Sequence, residues 1–450
     1  MQNLDLSKIK HVHFIGIGGI GISAIARMML HDGKIVTGQD MQDGEVVQEL
    51  KKVGAQIMIG QSYENIPKDT DLIIYTIAID NYDPELALKI KNQIEIPVRS
   101  YPQMLDILSR DKYTIAISGT HGKTTTTAMI AQILRDTKND PTVIVGSLLV
   151  GDGSASSPQG KSNFIAGKSK YFVVEACEYR RSFLNINPKI LVITNIEEDH
   201  LDYYKDIEDI KNAFHELCMK VPADGFVVCN PEDKNISEVI KNINAKVVNY
   251  HDFFDENLKL KIPGVHNKKD AACAIAVSNI LEINKDESVK AVSRFPGTWR
   301  RFEHKGEMPN GAKVYDDYAH HPTEISSTLE GFRELYPKAD DWNITVIFQP
   351  HLFSRTKLLL NDFAKSFSLA DRVMLLPIYY AREEDDGTIS SEILSNEINK
   401  FEGNDISKAF NSFEEAEKEL KSMILSNKDI VVTMGAGEAF KIADNLIHKG

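Results

Sequence analysis

Cysteine is scarce in this chain, with four residues in 450: Cys177, Cys218, Cys229 and Cys273. None stands in a Cys-x-x-Cys pair, which excludes a zinc ribbon or a disulfide framework and predicts free thiols in a reducing compartment. Positive charge is also in deficit: 52 Lys and Arg stand against 65 Asp and Glu, a net charge of −13 at pH 7. A chain with this balance does not take nucleic acid or an anionic membrane surface as its main partner. No apolar run approaches the roughly 20 residues of a membrane span, and the opening MQNLDLSKIK lacks the apolar core of a secretory signal. These absences predict a cytoplasmic protein with no membrane insertion. A Gly-x-Ser-x-Gly elbow is missing as well, which removes the serine hydrolases. There is no internal repeat and no low-complexity tract.

What is present is α/β alternation. The length exceeds one ordinary core and suggests about three domains, and 42% apolar residues suffice to pack them. HVHFIGIGG, KIVTGQD and DLIIYTIAI read as strands of a first block. TIAISG, NFIAG, KYFVVEAC, KILVITNI and GFVVCN form a second, and AKVYDDYA, ITVIFQPH, RVMLLPIYY and DIVVTMGAG a third. Helix-like spacing fills the intervals, the pattern of parallel sheets covered by helices. GDGSASSPQGKSN (151–163) reads as a loop connection, and Pro296-Gly297 ahead of Arg300 and Arg301 as a hinge.

The segment TIAISGTHGKTTTT is the most informative. A strand meets Gly119, and Gly122-Lys123-Thr124 opens a helix. Backbone amides and a helix N-terminus then face a polyphosphate, a lysine adds a point charge, and a threonine hydroxyl faces the nucleotide's magnesium. Ile117 stands where the general pattern has a further glycine, so this is a shortened phosphate loop. A second glycine cluster, Gly16-x-Gly18-x-x-Gly21, follows the strand HVHFI, with Asp40 closing the next strand. This is the dinucleotide fingerprint, suited to NAD or FAD, but its physical content admits any nucleotide diphosphate.

Glu175 and Glu178 end the YFVV strand, and Asp199-His200 follow LVITNI. Ligands of open parallel sheets bind beyond the carboxyl ends of strands, so Thr124, Glu175 and His200 converge on a divalent ion in this reading. Arg180-Arg181 beside them suit either substrate charge or a solvated turn. In the third block, YDDYAHHPTEI and FQPHLFSRT place polar residues after two strands. Adjacent His320 and His321 point apart on a regular element and make a poor metal pair. Arg355 suits a carboxylate clamp, because its guanidinium fork holds two oxygens.

Taken in order, FIGIGGIGISAIA, GTHGKTTTT, EACEYRRSFL, NIEEDHLDYY, PGVHN, RRFE, DDYAHHPTEI, FQPHLFSRT and MGAG resemble the Mur ligase family over nearly the whole chain, within it the alanine-adding branch. The resemblance implies three α/β domains: a Rossmann-like UDP-sugar domain over 1–110, a central ATPase domain with a mostly parallel sheet over 111–297, and a Rossmann-like domain over 298–450. The implied reaction joins L-alanine to the carboxylate of UDP-N-acetylmuramate through an acyl phosphate, with ATP as the energy source and magnesium (or manganese) as cofactor. It is a step of peptidoglycan precursor synthesis, carried out by a monomer or homodimer.

The site residues follow from the same resemblance. His13, Gly16, Gly18, Gly19, Gly21, Asp40, Thr76 and Arg99 would hold the UDP-sugar. Gly119, Thr120, His121, Gly122, Lys123, Thr124, Thr125, Asn267, Arg301 and Asp317 would hold ATP, with Lys123, Glu175, His200 and Arg301 catalytic. Thr124, Glu175 and His200 would be metal ligands, and Tyr318, His320, His351 and Arg355 would take the amino acid. The chain departs from the family in three places: Asp270 where asparagine contacts adenine, Cys177 where aspartate is common, and Trp299 before Arg300-Arg301. A ligase that adds a preformed tripeptide to the same sugar, and an NAD-dependent oxidoreductase, are the alternatives.

Overall fold

The computed structural model describes residues 4–93, 95–149, 161–201, 203–380 and 383–447. Most of the expected loop at 151–163 lies outside them. Three sheets succeed one another along the chain. The first contains β1 (His11–Ile15), β2 (Ile35–Asp40), β3 (Gln56–Ile59), β4 (Leu72–Tyr75) and β5 (Val98–Ser100), all parallel in the order β3-β2-β1-β4-β5. The second contains β6 (Tyr113–Ser118), β7 (Thr142–Leu149), β8 (Ser162–Ile165), β9 (Tyr171–Glu175), β10 (Ile190–Ile193), β11 (Phe226–Cys229) and β12 (Lys246–Asn249). Its order is β12-β11-β10-β6-β9-β7-β8, with only β8 antiparallel. The third contains β13 (Glu303–Glu307), β14 (Lys313–Asp317), β15 (Asn343–Phe348), β16 (Arg372–Leu375), β17 (Ser407–Ala409) and β18 (Asp429–Met434). Its order is β13-β14-β18-β15-β16-β17, with β13 antiparallel.

Burial is complete along the central strands, even where polar residues interrupt the apolar run, as His11 and His13 do in β1 and Thr433 in β18. Every residue of β1, β4, β10 and β18 is buried, as expected where helices cover both faces of a sheet. Two expectations change. DLIIYTIAI is a strand only over Leu72–Tyr75; the Thr76 hydroxyl accepts from Ala78 N, and a short helix begins at Ile79. NFIAG is a strand, but it folds back antiparallel on β7. β3, β12 and β13 are edges with no fully buried residue, held by backbone bonds, and β13 has no apolar residue besides its glycine.

The chain forms two compact units, residues 1–255 with 269–294, and residues 256–268 with 295–450. The first unit includes both the first and second sheets. A single apolar cluster runs through them, from Val12, Phe14 and Leu72 to Ile144, Phe164, Phe172 and Leu191. The helix Ile20–His31 joins them by packing on β7 and β8, and Asn163 donates to Ile20 O and to Ser23 Oγ (2.8 Å). In the second unit, separate clusters line the two faces of the third sheet, around Phe348 and Phe363 on one and Ile347 and Val431 on the other. All four cysteines are free. Among the described residues, no helix is long and apolar enough to cross a membrane.

Candidate active site

The phosphate loop turns out of β6 through two left-handed glycines, Gly119 (φ +132°) and Gly122 (φ +80°). Neither accommodates a side chain. A Cβ on Gly119 would strike Thr194 Oγ1, and one on Gly122 would strike the Asp270 carboxylate. Gly122 is the N-cap of the helix Lys123–Asp136, whose first amides have no partner within the helix and face outward. Four consecutive threonines (124–127) are poor helix formers, but all are buried, and Thr127 returns its hydroxyl to Lys123 O (2.8 Å). The segment after β10 holds the loop from beneath: Asn195 accepts from Thr120 N (3.1 Å) and His121 N (2.9 Å), and His121 Nε2 lies 3.5 Å from Glu197.

Around Lys123 the strand-end residues meet. Thr124 Oγ1 donates to Glu175 Oε2 (2.9 Å), which also accepts from Gly146 N (2.8 Å). Lys123 Nζ donates to Thr120 O (3.0 Å), to Gly119 O and to Glu178 (3.0 Å). His200 Nε2 lies 3.6 Å from Glu178, not against Glu175, and its buried Nδ1 has no hydrogen-bond partner among the described residues. Glu178 is 3% exposed. Burial opposes its charge, yet Lys123 and then His200 hold it below the ordinary carboxylate range. Burial likewise opposes the Lys123 ammonium, and Glu178 more than offsets it. Thus Glu178, which sequence reasoning noted without giving it a role, is the group that unites Lys123 with His200. Asn195 carried a weaker signal, as the first polar residue after the strand ILVIT. Thr124 and Glu175 offer hard oxygens 2.9 Å apart, which suit a divalent ion, and His200, held beside Glu178, is of a ligand type such an ion accepts. Arg180 binds Ile77 O (3.2 Å) and Asn81, while Arg181 binds Asp209 (2.7 Å) and Glu216 (3.0 Å), so both serve the first unit internally.

The other glycine loop lies in the same unit. Gly16 (φ +72°) has Thr76 where a Cβ would stand, and Gly19 caps the helix Ile20–His31. Asp40 accepts from Gly18 N (2.8 Å) and Gln42 N (3.1 Å), bracing the turn. His13 is fully buried, its Nδ1 on Thr37 Oγ1 (2.9 Å) and its Nε2 on Gln39 (3.0 Å), and burial, then His11, lowers its pKa to about 4. Both ring nitrogens are therefore committed inside the sheet. Arg99 lines a cleft with Gln103, Asp106 and Arg110.

In the second unit, Tyr318, His320, His351 and Arg355 come together. Tyr318 and His320 meet edge to face at 5.3 Å, His320 and His351 lie 6.0 Å apart, and the buried Arg355 Nη1 reaches His351 Nδ1 (3.3 Å). Leu352 between them takes φ +72°, a strained turn that starts the helix Phe353–Leu358. Arg301 faces Glu324 (3.4 Å) and the Tyr318 ring. Asp317 accepts from Phe302 N (2.7 Å) and Ala319 N (2.8 Å); burial raises its pKa to about 6 against the pull of Arg301. Asn267 donates to Pro263 O (2.6 Å). Arg300 is buried, bonded to Asp316 (2.7 Å), Gly435 O (2.6 Å) and Gly437 O (3.1 Å).

Comparison with known proteins agrees with this arrangement. Three sequence profiles match in succession: "Mur ligase family, catalytic domain" over residues 11–113, "Mur ligase middle domain" over 117–297 and "Mur ligase, glutamate ligase domain" over 300–437. The UDP-N-acetylmuramate–L-alanine ligase of Clostridium acetobutylicum is 41% identical, over 99% of this chain and 98% of its own length. That of Clostridium tetani is also 41% identical, over 98% of each. Among solved structures, the UDP-N-acetylmuramate-alanine ligase of Thermotoga maritima superposes with a TM-score of 0.78 at 28% identity, covering 98% of this chain and 99% of that one. A phosphate loop backed by strand-end carboxylates, a second glycine loop in the same unit and three profiles spanning the chain converge on one conclusion: the chain belongs to the Mur ligase family.

Proposed function

We propose that this chain is an ATP-dependent ligase that joins L-alanine to the carboxylate of UDP-N-acetylmuramate in peptidoglycan precursor synthesis. The observation that carries the reading is the meeting of Lys123, Thr124, Glu175, Glu178 and His200 beyond the carboxyl ends of β6, β9 and β10, in one unit with the Gly16–Gly21 loop. The UDP-sugar is assigned to residues 1–110, with the diphosphate on the amides of Ile20 and Gly21 at the start of the helix Ile20–His31, Gly16 to Gly19 shaping the turn and His13 acting as support. ATP is assigned to 111–297, with its phosphates on Gly119 to Thr125. Residues 298–450 take the amino acid, Arg355 clamping its carboxylate beside Tyr318, His320 and His351.

In the first step a muramate carboxylate oxygen attacks the γ-phosphorus, the bond to the ADP oxygen breaks, and an acyl phosphate forms. In the second, the alanine amine attacks the acyl carbon and loses a proton, and phosphate leaves. Carboxylate and triphosphate repel each other, so the chemistry is mainly one of neutralisation and alignment. Lys123 supplies fixed charge at the phosphates. Magnesium on Thr124, Glu175 and His200 would add a Lewis acid to both anions. Arg355→Ala is expected to raise the KM for L-alanine about 10-fold or more and that for ATP less than 3-fold; an unchanged alanine KM removes the clamp.

The deciding experiment measures phosphate release with UDP-N-acetylmuramate, ATP, magnesium and a panel of L-amino acids. Release with L-alanine that stops when magnesium or the sugar nucleotide is omitted supports the reading. Release only with the tripeptide L-Ala-γ-D-Glu-meso-diaminopimelate would favour the recycling ligase, and no ATP turnover would sink both.

A further inference from the structure

Gly21 is the third glycine of its motif, and its backbone is ordinary helix, so no left-handed conformation explains it. Space does. A Cβ there would lie 2.6 Å from Tyr101 Cζ and 2.7 Å from its hydroxyl. The phenol therefore rests on the first turn of the helix that follows the sugar-nucleotide loop. It is placed there rigidly. β5 pairs Ser100 with Tyr75 of β4, and Ser100 then caps the helix Tyr101–Ser109 in a reciprocal box with Gln103, making Tyr101 the first helical residue ahead of Pro102. The ring is half-buried against the core, and its hydroxyl makes no hydrogen bond among the described residues. Glu175, which holds Thr124, also accepts from Gly146 N of β7 (2.8 Å), the strand on which the helix under Tyr101 packs, and burial and then the charge of Glu175 push the phenol's pKa up.

Tyr101 thus touches the end of the site assigned to the diphosphate and senses the end assigned to the reacting phosphate. The part of the substrate that must span those two ends is the hexose. A tyrosine whose ring is packed and whose hydroxyl makes no bond within the described residues is suited to that stretch, since it pairs an apolar body with a polar tip that can donate. We propose that the Tyr101 hydroxyl donates a hydrogen bond to an oxygen of the substrate's hexose, fixing the sugar between the Gly16–Gly21 loop and Glu175. This rests on the sugar-nucleotide reading above.

The test is Tyr101→Phe in the full chain, with KM for each substrate and calorimetric Kd for UDP-N-acetylmuramate and for UDP alone. The expected result is a rise of about 3- to 10-fold in both KM and Kd for UDP-N-acetylmuramate, the range of one net hydrogen bond. The Kd for UDP and the KM for ATP and L-alanine should stay within 2-fold, and the thermal midpoint should not move, because no protein group loses a partner. Equal Kd values for UDP-N-acetylmuramate in both proteins would overturn the inference. So would an equal loss for UDP, which would shift the contact to the diphosphate, or a fall in thermal midpoint with all three KM values rising together. Failure of the wild-type chain to bind either compound would instead defeat the functional reading on which the inference rests.

Discussion

Lys123 is fully engaged: Glu178, Gly119 O and Thr120 O all receive its ammonium. Lys123→Ala should lower kcat/KM by at least about 10³-fold, the scale of losing a fixed charge at a developing anion, with UDP-N-acetylmuramate affinity within 2-fold of wild type. It should also destabilise the first unit, since removing one partner of a buried pair costs about 3–5 kcal/mol. Lys123→Ala/Glu178→Gln should then recover stability without recovering activity; if the double variant melts no higher than the single one, Glu178 is not the stranded group. His13 gives a second residue-scale prediction. Its pKa falls from 6.5 to about 4 on folding. Below pH 6.5 the unfolded chain therefore binds a proton that the sheet refuses. Stability present above pH 6.5 is lost on acidification, about 2 kcal/mol of it by pH 5 and about 3 kcal/mol by pH 4. Denaturant titrations at pH 7 and pH 5 should show this, and His13→Gln should flatten the difference; an unaltered pH slope would refute it. Lys123 was legible because a motif names it. Glu178 was not, because its role comes from pairing with Lys123 and His200, residues far from it in the chain, which no spacing rule encodes. His13 looked like a ligand by family likeness, but it belongs to the polar interior of a strand.

At the scale of elements, the phosphate loop depends on backbone shape. Gly122→Ala would force a left-handed alanine against Asp270. We expect a loss of about 1–3 kcal/mol and a rise in the KM for ATP of at least 10-fold, readable in melting and steady-state kinetics; a variant with unchanged ATP KM would remove the loop's assigned role. Just ahead of the third sheet, Arg300 is left-handed (φ +57°), buried, and tied to Asp316 of β14, whose own carboxyl pKa is raised by burial. Arg300→Leu should cost about 3–5 kcal/mol in the second unit, checked by denaturant midpoint. Adjacent Arg301 carries the functional expectation, and nothing in the letters RR distinguishes the two. The same holds for strands. β6, β10 and β18 are readable because burial on both faces demands apolar runs. β13, written EHKGE, is a strand only because β14 offers it a ladder.

Over the whole molecule, three α/β blocks were legible because punctuation by glycine and proline recurs between apolar runs. The grouping was not. Contact between the first two sheets depends on which face of one helix, Ile20–His31, turns toward β7 and β8, and periodicity alone does not choose a partner.

That grouping constrains how such enzymes can be rebuilt. A chimera that exchanged residues 1–110 for another sugar-binding module would have to reproduce the grip of Asn163 on Ile20 O and Ser23, and a greasy surface shaped to Phe164. Without them, the graft would leave a wet seam through the middle of its own interior, so the module is not a detachable cassette.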